Sequence, residues 1–324
     1  MLLSLVVPVF NEQEALPHFA ARVRPILDGL GADYEVLAVD DGSTDTSRSV
    51  LAELGSTWPQ LRVLALRRNA GHQAALTAGL EHARGRWVVT IDADLQDPPE
   101  LIPDLIAAGS QTNADVVYAV RTDRASDSAF KRWTAGAYYR LMNRTVGVPV
   151  ARHAGDFRML SASAVAEIMA LPERGRVYRL LIPAMGFRSA MVEYARAPRV
   201  AGQSKYPVRK MVRLAADSYF SFTVAPLRLA TWVGAIGFVL CSAFAVLAVV
   251  AYANGRTVPG WASFALVIGF VGAVQFVFLG LIGEYLARVY LELQARPRYY
   301  VERRREHQAG SAGAPAQVGS REVR

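Results

Sequence analysis

The sequence predicts an α/β domain with a mostly parallel sheet, followed by amphipathic interfacial helix and a two-helix membrane hairpin. Three observations carry this. Through residues 1–204, short apolar runs alternate with amphipathic stretches, the pattern of strands and covering helices. After residue 229 come two long apolar runs without charge. The net charge of +8 is unevenly placed: residues 1–204 hold 22 basic and 22 acidic residues, and residues 205–324 hold 14 basic and 6 acidic ones.

The elements follow in order. "LLSLVVPV" lacks a basic leading region and a small-residue cleavage site, so it reads as a buried strand and not as a signal peptide. Residues 12–30 read as an amphipathic helix, with Asn11 and Glu14 at capping-box spacing. Further strands are predicted at "YEVLAVD", "RVLALRR", "RWVVTID" and "ADVVYAV", with another helical stretch over residues 72–83. Such alternation implies a sheet covered on both faces, and ligands of such sheets bind outside the carboxyl ends of the strands. There is no internal repeat.

Residues 230–254 carry no charge. As a helix they would measure about 37 Å, enough for a hydrocarbon core of roughly 30 Å. Residues 261–283 form a second uncharged run, joined to the first by the short "GRTVPG". The two read as a transmembrane hairpin within residues 229–290; a buried helical hairpin in a soluble core is the alternative. Lys205, Arg209, Lys210, Arg213 and Arg228 precede the hairpin, and Arg288, Arg296, Arg298, Arg303, Arg304 and Arg305 follow it. The positive-inside rule then expects two spans in the cytoplasmic (inner) membrane with both termini cytoplasmic. Residues 205–228 have the spacing of an amphipathic helix, either lying on the bilayer or packed on the preceding domain. Residues 291–324 read as a cytoplasmic tail, disordered from about residue 308.

Some function classes are disfavoured. Cys241 is the single cysteine, so no intrachain disulfide can form. Neither a Gly-x-x-x-x-Gly-Lys loop nor a Gly-x-Gly-x-x-Gly fingerprint occurs, which argues against a P-loop NTPase or a nicotinamide enzyme. The basic excess surrounds the apolar runs, so an anionic membrane surface is the expected partner and nucleic acid is not.

Acids gather at three predicted strand ends: "PVFNE", "VDDGSTD" and "DADLQDPP". Each alone is ordinary turn chemistry; three at one edge of a parallel sheet point to a site. Asp92 and Asp94 lie two residues apart, so both carboxylates can reach one hard cation if the strand breaks there, as Pro98 and Pro99 would help it to. Mg²⁺ or Mn²⁺ suits such oxygen donors and often bridges to substrate phosphates. Asp97 is expected to cap the helix that starts at the prolines. His72, beside Asn69 and Gly71, reads as a capping or packing residue before a catalytic one.

"VVPVFNEQEAL", "VDDGSTDTS", "RRNAGHQAALTAGL" and "TIDADLQDPPEL" resemble the inverting GT-A glycosyltransferases of family 2. "GDFRML", "GQSKYPVRKM" and "RPRYYV" narrow the resemblance to the polyprenyl-phosphate branch, which includes bactoprenol glucosyltransferase and dolichol-phosphate mannosyltransferase. The resemblance spans about residues 3–301 and implies a Rossmann-like GT-A domain over residues 1–204. It also implies roles. Pro8 and Glu12 match nucleotide contacts, and Asp41 the position that reads the base. Asp92, Ala93, Asp94 and Gln96 match the D-x-D-x-Q run that holds the donor diphosphate through the metal. Arg121 matches a basic position near the nucleotide, and Arg132 and Lys205 basic positions near the donor or acceptor phosphates. Asp156 matches an acid facing the acceptor, followed on the same segment by Arg158, expected to hold phosphate.

The implied reaction is transfer of a sugar from a nucleotide-sugar, UDP-glucose or another UDP-sugar, to polyprenyl (undecaprenyl) phosphate, with inversion, for cell-envelope glycan modification. A lipid monophosphate with a second pKa near 6 is largely dianionic at pH 7, so the acceptor needs no strong base, and Asp156 is expected to position or weakly assist. A processive polysaccharide synthase is the alternative enzyme, but its Gln-x-x-Arg-Trp motif is broken, since Ala129 stands where Gln would precede Arg132 and Trp133. A non-catalytic nucleotide-binding membrane scaffold is the alternative of another class. The resemblance also raises homo-oligomerisation, for which Gly234, Gly237, Gly269 and Gly272 would permit close helix contacts.

Overall fold

A computed structural model describes residues 1–121, 154–173, 175–194, 225–255 and 260–302. Arg132, Lys205, most of the predicted interfacial segment (205–224) and the tail from residue 303 lie outside the described residues.

The described residues form a seven-stranded sheet of β1 (Leu3–Val9), β2 (Tyr34–Asp40), β3 (Leu61–Ala65), β4 (Trp87–Thr90), β5 (Val116–Arg121), β6 (Ala154–Ser161) and β7 (Ser189–Tyr194), in the order β3-β2-β1-β4-β6-β5-β7. All neighbours are parallel except β6, which runs antiparallel to both β4 and β5. The five strands expected from sequence are present. β6 and β7 were not expected, and their absence from the prediction has a physical reason. "AGDFRMLS" alternates Phe157 and Met159 with charged Asp156 and Arg158, and "SAMVEY" is half exposed, so neither is an apolar run.

Helices cover both faces. α1 (Ala15–Asp28), α2 (Ser47–Thr57) and α4 (Ile102–Thr112) bury Leu16, Phe19, Val23, Leu51, Ile102 and Leu105 against Leu3, Leu5, Val7 and Val9 of β1. On the other face, α3 (His72–His82), α5 (Ala162–Ala170) and α6 (Tyr178–Ala184) pack Leu76, Leu80, Val165 and Leu181 against Val6, Leu37 and Val88. Alternate residues of β1 thus feed two separate cores, as the period of two requires, and all seven of its residues are buried.

Pro8 in this central strand lacks an N–H. Val6 accepts from Ile91 N and Val9 from Asp41 N, so by alternation Pro8 turns its backbone toward β4, whose pairing with β1 has ended at Thr90. The missing donor therefore falls where no strand needs it. At the opposite edge of the sheet Glu35 is buried; it accepts from Ser4 Oγ at 2.7 Å and Arg84 N at 2.8 Å and pairs with Arg62.

The predicted capping box does not form. Asn11 is left-handed (φ 55) and its Oδ1 accepts from Thr44 N at 2.8 Å, while α1 starts after Glu14 without a side-chain cap.

Two long helices follow: α7 (Ala225–Ala253) and α8 (Trp261–Leu293). Among the described residues, Val267–Leu293 is long and apolar enough to cross a membrane, and Ala230–Leu240 is a shorter apolar stretch. α8 runs past the predicted end of the second span at residue 283 and carries exposed Phe270, Phe276 and Leu279 on its flanks. The segment after α8 returns to the sheet. Val301 forms an antiparallel bridge with Leu66, Arg67 N donates to Tyr300 O at 2.9 Å, and Glu302 N donates to Ala65 O at 2.7 Å.

Candidate active site

The carboxyl ends of β1, β2, β3 and β4 open at one edge, and there the loops are laced together. Asn11 N donates to Ser43 Oγ at 3.1 Å, Glu12 N to Ser47 Oγ at 2.8 Å, and Thr46 Oγ1 to Gln13 Oε1 at 2.7 Å. Asp40 Oδ1 accepts from Ser43 N at 3.0 Å, which folds the turn after β2. The short polar residues of "FNEQ" and "DDGSTDTS" are thus partners of each other's backbone, the use to which Ser, Thr, Asn and Asp side chains are suited.

Asp41, matched to the position that reads the base, is buried at the end of β2. It is 3% exposed, and its two oxygens accept from Ala70 N at 2.7 Å and Gly71 N at 2.9 Å. Burial raises its pKa although those two N–H groups oppose the shift. Its visible work is to hold the loop after β3 against the turn after β2.

The "DADLQD" run leaves β4 in an alternating pattern. Asp92, Asp94 and Gln96 are partly exposed, whereas Ala93, Leu95 and Asp97 are buried. Leu95 takes a left-handed φ of 56°, and Asp94 Oδ1 accepts from Gln96 N at 3.1 Å, so a local turn breaks the strand well before the prolines. Ala93 is only 3% exposed and belongs to the core. Pro98 and Pro99 open a short 3₁₀ turn, Pro99–Leu101.

Asp97 is not a helix cap. It is 3% exposed and its Oδ1 accepts from Tyr194 OH at 2.5 Å and Arg121 Nη2 at 3.2 Å, while Arg121 Nε donates to the same tyrosine oxygen at 3.0 Å. Burial, then the bond to Asp97, pushes the Tyr194 phenol up to about 12. Arg121, predicted near the nucleotide, is thereby fixed between β4 and β7; its guanidinium lies against Gly155, where an added Cβ would stand 3.3 Å from Nη2.

β6 brings the last acid into place. Thr90 pairs with Arg158 in the antiparallel register, so continuing two residues sets Asp92 across from Asp156. Thr90 Oγ1 donates to the Asp156 carbonyl. The two carboxylate oxygens of Asp156 then divide. Oδ1 accepts from Arg158 Nη2 at 2.7 Å; Oδ2 faces His72 Nε2 at 3.4 Å and Arg179 Nη2 at 4.0 Å. His72 Nε2 also lies 3.8 Å from Asp92 Oδ1.

Arg158, expected to hold phosphate, is enclosed by the protein. It is 2% exposed, and its guanidinium donates to the carbonyls of Tyr178 at 3.2 Å and Gly155 at 2.9 Å besides Asp156. It is the internal counter-ion that orients Asp156. His72 and Arg179 are the residues that sequence reasoning undervalued. His72 had a signal, its place at the first turn of a helix after a strand end; Arg179 had only its isolation as a charge in the apolar run "VYRLLIP".

The electrostatics separate the two acids. Burial pushes Asp92 up to about 6, with the carboxylates of Asp156, Asp94 and Asp97 adding to the rise and His72 opposing it. Burial would also raise Asp156, but the His72 hydrogen bond and the charges of Arg158 and Arg179 outweigh it and hold this carboxyl well below the usual range. The surroundings of Asp156 thus favour its anionic form. For His72, burial disfavours the cation, yet Asp156 and Asp92 together raise its pKa.

No three His, Cys, Asp or Glu side chains among the described residues converge as a ready-made metal cage. Asp92, Asp94 and Gln96 nevertheless share the open side of one turn, offer hard oxygen donors, and crowd negative charge that a divalent cation would relieve. That donor set fits a cation whose remaining positions are filled by water or substrate oxygens.

The glycosyl transferase family 2 model matches residues 4–169. An uncharacterised glycosyltransferase, sll0501 of Synechocystis, is 39% identical over 300 residues, covering 92% of this chain and 94% of its own length. The bactoprenol glucosyl transferase of Shigella phage SfX is 40% identical over 309 residues, covering 94% of this chain and 100% of that one. Among solved structures, glucosyl-3-phosphoglycerate synthase of Mycobacterium tuberculosis, in complex with Mn²⁺, UDP and phosphoglyceric acid, is 22% identical over 66% of this chain and 75% of that one, with a TM-score of 0.49.

Proposed function

This chain belongs to glycosyltransferase family 2, and from that premise we propose that it transfers a hexose, glucose from UDP-glucose first among donors, to polyprenyl phosphate at the cytoplasmic face of a membrane. The observation that carries the proposal is the meeting of Asp92 and Asp156 across the end of β4, with His72 within 4 Å of both. One acid belongs to the turn that would hold a donor diphosphate, the other to a strand entering from the opposite direction. A phosphoryl acceptor fits this arrangement. Its oxygen is already anionic, so the site needs an oriented anion and cations, not a strong base, and a carboxylate with a lowered pKa meets that need.

In the reaction an acceptor phosphate oxygen forms the bond to the anomeric carbon. The bond from that carbon to the diphosphate oxygen breaks, and its electron pair leaves with the nucleoside diphosphate. A divalent cation held by Asp92, Asp94 and Gln96, Mg²⁺ or Mn²⁺, would offset charge on the leaving diphosphate. The laced loops after β1 and β2, with Pro8 and Glu12, and Arg121 at the end of β5, would frame the nucleotide. Asp156, oriented by Arg158, would keep the acceptor in line.

Two membrane spans belong to the same proposal. The supporting argument is one of parity. Glu302 is bonded to Ala65, so the chain leaves the catalytic domain and returns to it on the same side. If α8 crosses a bilayer, α7 must cross it in the other direction. The basic residues on both flanks then set the catalytic side as cytoplasmic.

The test is the detergent-purified full chain with Mg²⁺ or Mn²⁺, undecaprenyl phosphate and a panel of UDP- and GDP-sugars. One donor is expected to yield a single sugar on the lipid and stoichiometric nucleoside diphosphate. A polymer product, or nucleotide binding without turnover of any donor, would refute the proposal.

A further inference from the structure

We propose that Tyr194 is a positioning residue for the transfer reaction proposed above, on which the assignment rests: it holds the turn of Asp92, Asp94 and Gln96 in place against the strand segment that carries Asp156. The need for such a residue lies in the sheet. β6 pairs with β4 no further than Thr90 and Arg158. On its other side Tyr118 pairs with Arg158 and Val120 with Ala154, so Ala119 alone stands opposite Gly155, Asp156 and Phe157. Asp156 therefore sits on a bulge, where the ladder is interrupted and backbone pairing does not set its place. Bulges beside active sites re-aim side chains in this way.

Side chains supply the missing constraint. Thr90 Oγ1 donates to the Asp156 carbonyl, and Arg158 Nη2 donates to the Gly155 carbonyl at 2.9 Å. His72 spans the carboxylates of Asp92 and Asp156 themselves. The chain segments that carry those two acids are also joined through Tyr194. Its hydroxyl donates to Asp97 Oδ1 at 2.5 Å and accepts from Arg121 Nε at 3.0 Å, and Arg121 Nη2 closes the ring on the same Asp97 oxygen at 3.2 Å. Its aromatic ring meets Phe157 edge-on, with centroids 6.1 Å apart and an interplanar angle of 78°. Asp97 follows Gln96 in the turn, and Phe157 follows Asp156 on the bulge. Arg121 adds a contact on the residue before Asp156, its guanidinium lying against Gly155.

Tyr194, Asp97 and Phe157 are all buried, so water does not compete for these contacts. One rigid side chain thus holds two acids through the residues next to them. Its two ends divide the work: the hydroxyl governs the turn that would hold the cation, and the ring governs the bulge of Asp156.

The test uses the full chain in detergent with undecaprenyl phosphate and whichever donor the wild type accepts. Tyr194→Phe keeps the ring on Phe157 and deletes the hydroxyl. It is expected to raise the Mn²⁺ concentration for half-maximal UDP binding by about tenfold, and to lower kcat at saturating metal by a similar factor. Phe157→Leu keeps the hydroxyl and deletes the ring contact, so kcat should fall by about tenfold while Mn²⁺-dependent UDP binding stays within about twofold. A Tyr194→Phe variant that melts lower but keeps its kcat and its Mn²⁺ dependence would make the tyrosine a structural residue only and overturn the assignment. Equal losses of UDP binding in both variants would overturn it as well. If Tyr194→Phe fails to fold, Phe157→Leu carries the test, and an unchanged kcat in it decides against the proposal. Should the wild type release UDP without glycosylating the lipid, the transfer reaction itself falls and the assignment with it; normal wild-type transfer with an unaltered Tyr194→Phe removes the assignment alone.

Discussion

The backbone N–H of Glu302 donates to the carbonyl of Ala65 at 2.7 Å, joining a residue beyond the last helix to the edge strand of the catalytic sheet. β3 would otherwise leave its outer backbone groups open at that end. Tyr300 O accepts from Arg67 N, Tyr299 OH bonds Glu81 of α3, and Arg48 pairs with Glu302. The strand end covered in this way leads into the loop whose Ala70 and Gly71 hold Asp41.

A chain ending at residue 297 should therefore be less stable by about 1–3 kcal/mol, from two lost backbone hydrogen bonds and their packing. Thermal melting in detergent would register this as a drop of several degrees, with weaker UDP binding. A chain ending at residue 302 keeps all of these contacts and should melt above the chain ending at 297. Equal melting of both truncations would show that the return segment adds nothing.

Glu35 gives a pH dependence whose sign can be worked out. Burial alone would raise its pKa, but Ser4, Arg62 and the Arg84 N–H bind the anion and bring it below the ordinary value. A folded pKa below the unfolded one stabilises the fold fully above the unfolded value, about 4.3, and that contribution is lost as pH falls through the folded pKa. Glu35→Gln should lower stability at pH 7 by about 1–3 kcal/mol and flatten the decline between about pH 5 and 3. Denaturant titrations at several pH values in that interval measure both effects; an unchanged acid slope would remove Glu35 as its source.

Asp156→Asn keeps the shape that accepts from Arg158 and removes the charge. If Asp156 orients and balances the acceptor side, kcat should fall at least about 100-fold, the scale of losing a positioned electrostatic group, while UDP binding stays within twofold. Because the Asp156 carboxyl is held ionised well below neutrality, the wild-type rate should show no acid limb from it between pH 5 and 8. Steady-state rates and UDP titrations on the variant decide the first point, and the pH profile the second.

Chelation tests the cation. EDTA should abolish turnover, and Mg²⁺ or Mn²⁺ should restore it. Asp94→Asn should shift the metal concentration for half-maximal UDP binding upward by roughly tenfold or more. Metal-independent UDP binding by the wild type would argue that Asp92 and Asp94 serve another purpose.

The parts of the fold legible in the sequence were those set by local pattern. "YEVLAVD" is a strand in full because both faces are buried and every residue agrees. Asp92 and Asp94 could be set apart because the break after β4 lies in the same stretch of chain. Asp97 was misread because its partners, Tyr194 and Arg121, are distant in sequence and only the sheet order brings β7 beside β5. The antiparallel register that sets Asp156 against Asp92 is equally non-local, since β6 is alternating and charged where a predicted strand would be apolar. The burial of Arg158 was hidden as well, because a charge in sequence gives no sign of whether its counter-ion is inside or outside the molecule.

Gly42 and Gly71 offer a paired test of the loop packing around Asp41. Both have positive φ, 66° and 95°, so alanine at either is strained, by about 1–2 kcal/mol. They differ in surroundings. A Cβ at Gly42 would stand 2.6 Å from the backbone carbon of Arg68 and the backbone nitrogen of Asn69, whereas at Gly71 nothing lies within 4 Å. Backbone atoms cannot swing aside as a side chain would, so Gly42→Ala must push the loop after β3 away from the turn after β2. That displacement would pull Ala70 and Gly71 from the Asp41 carboxylate. Gly42→Ala is therefore expected to cost about 1–3 kcal/mol more than Gly71→Ala and to weaken UDP binding further. Denaturant unfolding and UDP titration of the two variants make the comparison, and equal losses would mean that the close approach of the two loops is not what holds Asp41.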